Sequence, residues 1–140
     1  MGAAGLPYVL SFVVRRDGAL LDGTPLEQVI EALDSTAPNP PTGYAVNCVH
    51  PDVFADALSS LDRSDSALVR RIVSFQANTS SKRPEGLDGP AELETEDPDT
   101  LAELMLEVHG KFRTRFMGGC CGTTTSHIAC LAAKHGASGR

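Results

Sequence analysis

The feature that most limits how this chain can fold is an alternation, repeated four times, between a short apolar run and a helical stripe. The first run, "PYVLSFVV" (7–14), is almost continuously apolar, as a strand covered on both faces requires. The turn residues of "DGALLDG" follow. Thr24-Pro25-Leu26-Glu27 then reads as a helix start, with Thr24 as N-cap, Pro25 as the first helical residue and Glu27 as the capping-box partner. Leu26, Val29, Ile30 and Leu33 fall at i, i+3, i+4 and i+7, one apolar stripe. The Pro-rich link "STAPNPPTG" leads to a second run, "YAVNCV", and to a helix predicted from Asp52 to Leu61 that buries Val53, Phe54, Ala57, Leu58 and Leu61. A third run, "RRIVSFQA", precedes the polar stretch "NTSSKRPEGLDGPAELETED". A loop of about 20 residues inside a compact domain is unusual and is often functional. Asp97-Pro98 opens the longest helix, striped by Leu101, Leu104, Met105, Val108 and Phe112. The last unit is a short strand ending at Met117, a Gly-Cys turn, and a helix from Ser126 to His135. Such alternation predicts an α/β fold with a parallel sheet and right-handed crossovers.

In folds of this class, chemistry collects at the C-terminal ends of the strands. Cys48 ends the second strand and Cys120-Cys121 follow the fourth, inside "FMGGCCGTTT" (116–125), so three thiols can share one rim. In a regular strand Cys120 and Cys121 point to opposite faces. Joint use of both requires the backbone to leave strand geometry, and Gly118, Gly119 and Gly122 give it that freedom. From the residues alone the pair reads three ways: a metal clamp, a vicinal redox pair, or a tight turn. The four cysteines show no finger-like CxxC pairs, which argues against a structural zinc finger. Free thiols in an intracellular chain favour metal or catalytic use over a disulfide framework. Zn²⁺ with three protein ligands and one open position is the catalytic rather than the structural arrangement. Three thiolates leave such a site net negative, which suits ionising a soft sulfur substrate better than polarising a carbonyl.

Charge narrows the partners. The formal net charge is −6, and the densest basic spots, Arg15-Arg16 and Arg70-Arg71, are only pairs, so nothing can neutralise a row of phosphates. A nucleic-acid role is excluded on that ground. No segment approaches the roughly 20 apolar residues of a membrane span. The apolar "GLPYVLSFVV" has its arginines after it, not before as a signal peptide needs, and Leu6 stands where a myristoylation signal has Ser or Thr. The segment reads as a buried strand and the protein as cytoplasmic.

"GYAVNCVHP" (43–51) and "GGCCGTTTSHI" (118–128) resemble the two metal motifs of the homocysteine S-methyltransferase family. "PYVLSFVVRRDGALLDGTPL" and "SFQANTSS" resemble its intervening strands and turns, so the likeness covers essentially the whole chain. The resemblance implies a (β/α)8 TIM barrel of which this sequence supplies the second half, strands five to eight, as residues 1–140. It implies catalytic Zn²⁺ on Cys48, Cys120 and Cys121, which binds homocysteine as its thiolate for attack on an activated methyl group, giving methionine. The acceptor is homocysteine or a related thiol or selenol, and the methyl donor is unidentified. A barrel of this kind needs about 250 residues. Four strands leave two open sheet edges, so the expectation is that a second chain or a second copy covers them, or that the chain is a truncated remnant. Two non-catalytic or non-methyltransferase alternatives stand beside this reading: a zinc-binding half-barrel that assembles with a partner, and a vicinal-dithiol redox module.

Other residues carry lesser expectations. Asn47 precedes a proposed ligand and is read as substrate-binding, with a local strand-end bond as the competing role. Asn78, where the family has an active-face asparagine, is also read as substrate-binding, with an Asx turn as its local alternative. Ser11 reads as an ordinary strand serine. His50, two residues from Cys48, is weighed as a ligand and set aside because Pro51 begins a helix. Cys130 reads as core filler beside the Ile128–Leu131 stripe, and His127 as a tether for the last helix. His109 and His135 sit at helix C-terminal ends, where positive charge suits the dipole. "EDPD" (96–99) reads as helix-start chemistry.

Overall fold

The computed structural model describes residues 5–64, 66–80 and 95–138. Nine elements follow in chain order: β1 (Val9–Phe12), α1 (Leu26–Thr36), β2 (Gly43–Val49), α2 (Pro51–Ser64), α3 (Ser66–Val69), β3 (Ile72–Ala77), α4 (Pro98–Phe112), β4 (Phe116–Gly119) and α5 (Thr125–Ser138). The four strands form one sheet in the order β1-β2-β3-β4, and every neighbouring pair is parallel. Sequential order with right-handed crossovers places the connecting helices on one side of the sheet. This is the predicted α/β architecture, consistent with half of a (β/α)8 barrel.

One face of the sheet makes the core. Tyr44, Val46 and Phe75 are fully buried there, with Leu10, Phe12 and Met117 packed against the same cluster. The α2 stripe falls as predicted, with Val53, Phe54, Ala57, Leu58 and Leu61 all buried. Phe54 stacks on Phe75 with ring centroids 4.2 Å apart and meets Phe112 of α4 edge-on at 6.0 Å. From α4, Leu101, Met105, Val108 and Phe112 join this core, while Leu104 is half-buried. Asp97 caps α4 by accepting from the amides of Asp99 and Thr100, with Pro98 in the first turn, so "EDPD" forms the helix start as expected.

The alternate strand positions, Val9, Ser11, Asn47, Gln76, Phe116 and Gly118, occupy the opposite face. Here one expectation is corrected. The first run is not covered on both faces: β1 is an edge strand, Val9 is 46% exposed and Leu6 before it 69%. At the other edge Phe116 is 63% exposed. Among the described residues nothing pairs with the outer edge of β1 or of β4.

Helix starts differ in detail. The N-cap of α1 is Pro25, not Thr24, and no side chain caps it. The reason lies in the preceding turn, where Thr24 is held by its backbone: its amide donates to Asp22 Oδ1 and its carbonyl accepts from Leu20. α2 and α5 run longer than predicted, from Pro51 to Ser64 and from Thr125 to Ser138. On α5 the stripe is incomplete, since Leu131 is buried and Cys130 half-buried against the core but Ile128 is 44% exposed. His109 lies in the last turn of α4, and its Nδ1 meets the Thr114 carbonyl at 2.8 Å just past the helix end. Of the long polar loop, residues 81–94 lie outside the described residues.

The strand bases are tied by one ion pair. Arg71 holds Asp34 with two bonds, Nε to Oδ2 at 3.0 Å and Nη2 to Oδ1 at 2.7 Å, and donates to the carbonyls of Pro41 and Thr42. The Pro-rich link is thereby fastened between α1 and the start of β3. The Tyr44 hydroxyl donates to the same carboxylate at 2.7 Å. Burial first and then Asp34 push the Tyr44 phenol up to about 12. The Arg71 hydrogen bond, outweighing burial, holds the Asp34 carboxyl below its usual range. A carboxyl held low in the folded state adds stability above its unfolded value, and that stability is lost as pH falls through the folded value. Asp34→Asn is therefore expected to cost about 1–3 kcal/mol at neutral pH. Denaturant titrations should show the gap from wild type closing as pH falls below about 4.

Candidate metal centre

Cys48 reaches the rim of the sheet through an irregularity in β2. Asn47 pairs with Gln76 and Val49 with Ala77, so Cys48 has no partner and forms a β-bulge. Its φ is +58°, one of two non-glycine residues of the described chain in the left-handed region. That conformation costs a residue with a Cβ on the order of 1 kcal/mol or more, and bulges are over-represented beside active sites, where they re-aim a side chain.

On the other side, the chain leaves β4 through the glycines. The Cys120 amide continues the ladder to the Ala77 carbonyl at 2.8 Å, and Thr123 closes the turn on the Cys120 carbonyl through both its amide and its hydroxyl. Gly122 has φ +79°, and a Cβ there would stand 1.9 Å from Thr79 Oγ1. The turn is thus seated directly on the end of β3, where the Thr79 amide donates to the Cys121 carbonyl at 3.2 Å.

The outcome is a cluster. Cys48 Sγ lies 3.3 Å from Cys121 Sγ, Cys120 Sγ lies 4.0 Å from Cys121 Sγ, and all three sulfurs fall within 4.8 Å of one another. Among the described residues this is the one group of three or more candidate ligand side chains, and His50 is not in it. All the cysteines are free thiols, and the 4.0 Å between Cys120 and Cys121 is far beyond a disulfide bond of about 2.05 Å.

The donor set fits zinc. Tetrahedral Zn–S bonds of about 2.3 Å put neighbouring sulfurs about 3.8 Å apart, and the observed spacings lie around that value. The half-buried Cys48 and Cys120 and the exposed Cys121 leave the cluster open on one side. Burial first, and then the Cys48 sulfur, push the Cys120 thiol up. Three adjacent thiols resist ionising together unless a cation compensates them, and a divalent ion would do so.

The remaining sequence-predicted residues divide. Asn47 is half-buried on the open face, and its Oδ1 accepts from the Ser11 hydroxyl at 2.5 Å. Asn78 is buried, and its Oδ1 accepts from the Ser80 amide at 2.9 Å, the Asx turn of its local reading. His127 does tether the start of α5: its Nδ1 accepts from the Thr124 amide at 3.1 Å, and its Nε2 faces the Glu96 carbonyl at 2.9 Å. Sequence reasoning missed Gln76, which stands beside Asn47 on the open face, and Thr79 and Glu96, which brace the Cys turn. Strand alternation could have found Gln76; nothing local marks the other two.

The sequence model of the homocysteine S-methyltransferase family matches residues 2–135, and the chain belongs to that family. Among solved structures it is similar to the crystal structure of the homocysteine methyltransferase MmuM from Escherichia coli in its oxidized form, with a TM-score of 0.64 and 25% identity. That likeness covers 95% of this chain and 38% of the other, so the chain spans well under half of that relative's length. No curated protein matches the chain. No described helix is long and apolar enough to cross a membrane.

Gly122→Ala is expected to lower stability by about 2 kcal/mol or more, from left-handed backbone strain together with overpacking against Thr79. Urea unfolding measures it, and an unchanged midpoint would show that the turn is not seated on Thr79 as described.

Proposed function

We propose that residues 1–140 form the zinc-binding C-terminal half of a homocysteine S-methyltransferase barrel, with Cys48, Cys120 and Cys121 as the ligands of a catalytic Zn²⁺. The observation that carries this reading is the meeting of three thiols from two segments 72 residues apart (Cys48 and Cys120) within 4.8 Å. Family membership supports homocysteine, or a related thiol or selenol, as methyl acceptor. A zinc ion so held supplies Lewis acidity that ionises a thiol at neutral pH without a protein general base. The acceptor sulfur's lone pair forms the new S–CH₃ bond as the bond from methyl to the donor's heteroatom breaks. The breaking pair leaves with the donor, and the acceptor's thiol proton goes to solvent.

The chain's own residues supply position. Asn47, its Oδ1 occupied by Ser11, has its NH₂ donors for an acceptor group of the substrate on the open face. Asn78 is buried with its Oδ1 committed to the Asx turn, so of the two asparagines Asn47 is better placed to meet substrate. The open face and the two free edges call for four further strands, from another chain, from a second copy or from the same polypeptide. Three unpaired thiols suit a reducing compartment, which favours the cytoplasm.

The purified chain is expected to bind one zinc per polypeptide by elemental analysis, and Cys48→Ala to lose it while still folding. Methyl transfer to homocysteine is to be assayed with sulfonium and quaternary-ammonium donors. Zinc-dependent turnover supports the enzyme reading, and a folded chain that takes up no zinc contradicts it.

A further inference from the structure

The turns that carry the thiols are held together at a residue outside the cluster, Glu96. Its amide donates to the Thr79 carbonyl at 3.0 Å, and Thr79 in turn donates to the Cys121 carbonyl at 3.2 Å. Its own carbonyl is met by His127 Nε2 at 2.9 Å. Its carboxylate Oε2 lies 3.7 Å from Nε2 of His50, two residues beyond Cys48. One residue therefore touches the segment after Cys48, the end of β3 and the helix that follows Cys120-Cys121.

The two histidines are buried, His50 at 3% and His127 at 6% exposure. Their ring nitrogens have defined roles. Nδ1 of His127 accepts from the Thr124 amide, so its Nε2 carries the hydrogen donated to Glu96. Nδ1 of His50 accepts from the Asp52 amide at 3.3 Å, so its Nε2 carries the hydrogen; this nitrogen faces the Glu96 carboxylate and has no hydrogen-bond partner among the described residues. A buried donor left unpaired is unfavourable, and the Glu96 carboxylate 3.7 Å away is the acidic group that faces it. The link matters because β2 and β4 are not neighbours: β3 separates them, and no ladder joins Cys48 to the Cys pair.

We propose that His50 and His127 are positioning residues for the thiol cluster, acting jointly through Glu96, which couples the Cys48 bulge to the Cys120-Cys121 turn. This rests on the reading of the thiols as a metal site. Neither histidine touches the metal; each fixes the segment from which a thiol projects. Loss of either leaves the ligands present but less well placed, and outer partners of metal sites typically contribute about 10–100-fold in affinity.

The test is zinc affinity by chelator competition, together with the thiolate-to-metal absorption of the Co²⁺-substituted chain and the metal-free melting curve. His50→Phe and His127→Phe are each expected to weaken zinc binding about tenfold, with a diminished Co²⁺ band. Metal-free melting should change little for His50→Phe and fall for His127→Phe, which also loses the Thr124 and Glu96 bonds. His127→Gln, which still donates to the Glu96 carbonyl, should recover most of the affinity. Because both act through one residue, the double variant should lose less than the product of the single losses. Should a Phe variant fail to fold, Glu96→Ala, at a side chain 35% exposed, decides instead and should match the expectation for His50→Phe. Unchanged affinities, a double loss equal to the product, or a Gln variant as weak as Phe overturns the inference alone. A wild-type chain that binds no zinc overturns it together with the reading of the thiols.

Discussion

Everything in this structure that bears on function depends on closing a gap across one strand. β2 and β4 lie on either side of β3. Strands in a sheet are spaced about 4.8 Å apart, so the two that carry the thiols are separated by roughly 10 Å. Yet Cys48 and Cys121 bring their sulfurs to 3.3 Å. The approach is made from both sides over the end of β3. The bulge at Cys48 turns its side chain with a left-handed backbone, and the glycine turn folds Cys120-Cys121 back onto Thr79. Strain at one residue and the lack of a Cβ at another are what the cluster requires.

How much of this the sequence reveals follows from what each feature leaves in residue types. The four units are legible because a buried strand must be apolar and a buried helix face must repeat every three to four residues, as in Val53, Phe54, Ala57, Leu58 and Leu61. The cap at Asp97-Pro98 is legible because a carboxylate and a proline each have a local reason to be there. The cap at Thr24 misleads for a physical reason: its backbone is already engaged with Asp22 and Leu20, and the helix begins one residue later. The meeting of the thiols is foreseeable from topology. The bulge that achieves it is not, since any residue can stand unpaired and Cys48 has no glycine to mark the turn. Glu96 likewise works through its main chain, which a residue's identity does not encode.

The architecture also explains why the site is open. The helix-facing side of the sheet is packed by aromatic and aliphatic residues, whereas the opposite face presents Ser11, Asn47, Gln76 and Gly118, with Val9 and Phe116 exposed at the edges. In a closed barrel such a face becomes a lined interior. Here the thiols stand at its rim on a scaffold whose own core is satisfied from the helix side. The gathering of the three thiols at that rim is thus built into the described residues themselves.

X-ray absorption at the zinc edge of the zinc-loaded chain tests the central claim most directly. The account predicts three sulfur scatterers at about 2.3 Å and one lighter atom completing the shell. A shell with fewer than three sulfurs, or one dominated by nitrogen and oxygen, would contradict it.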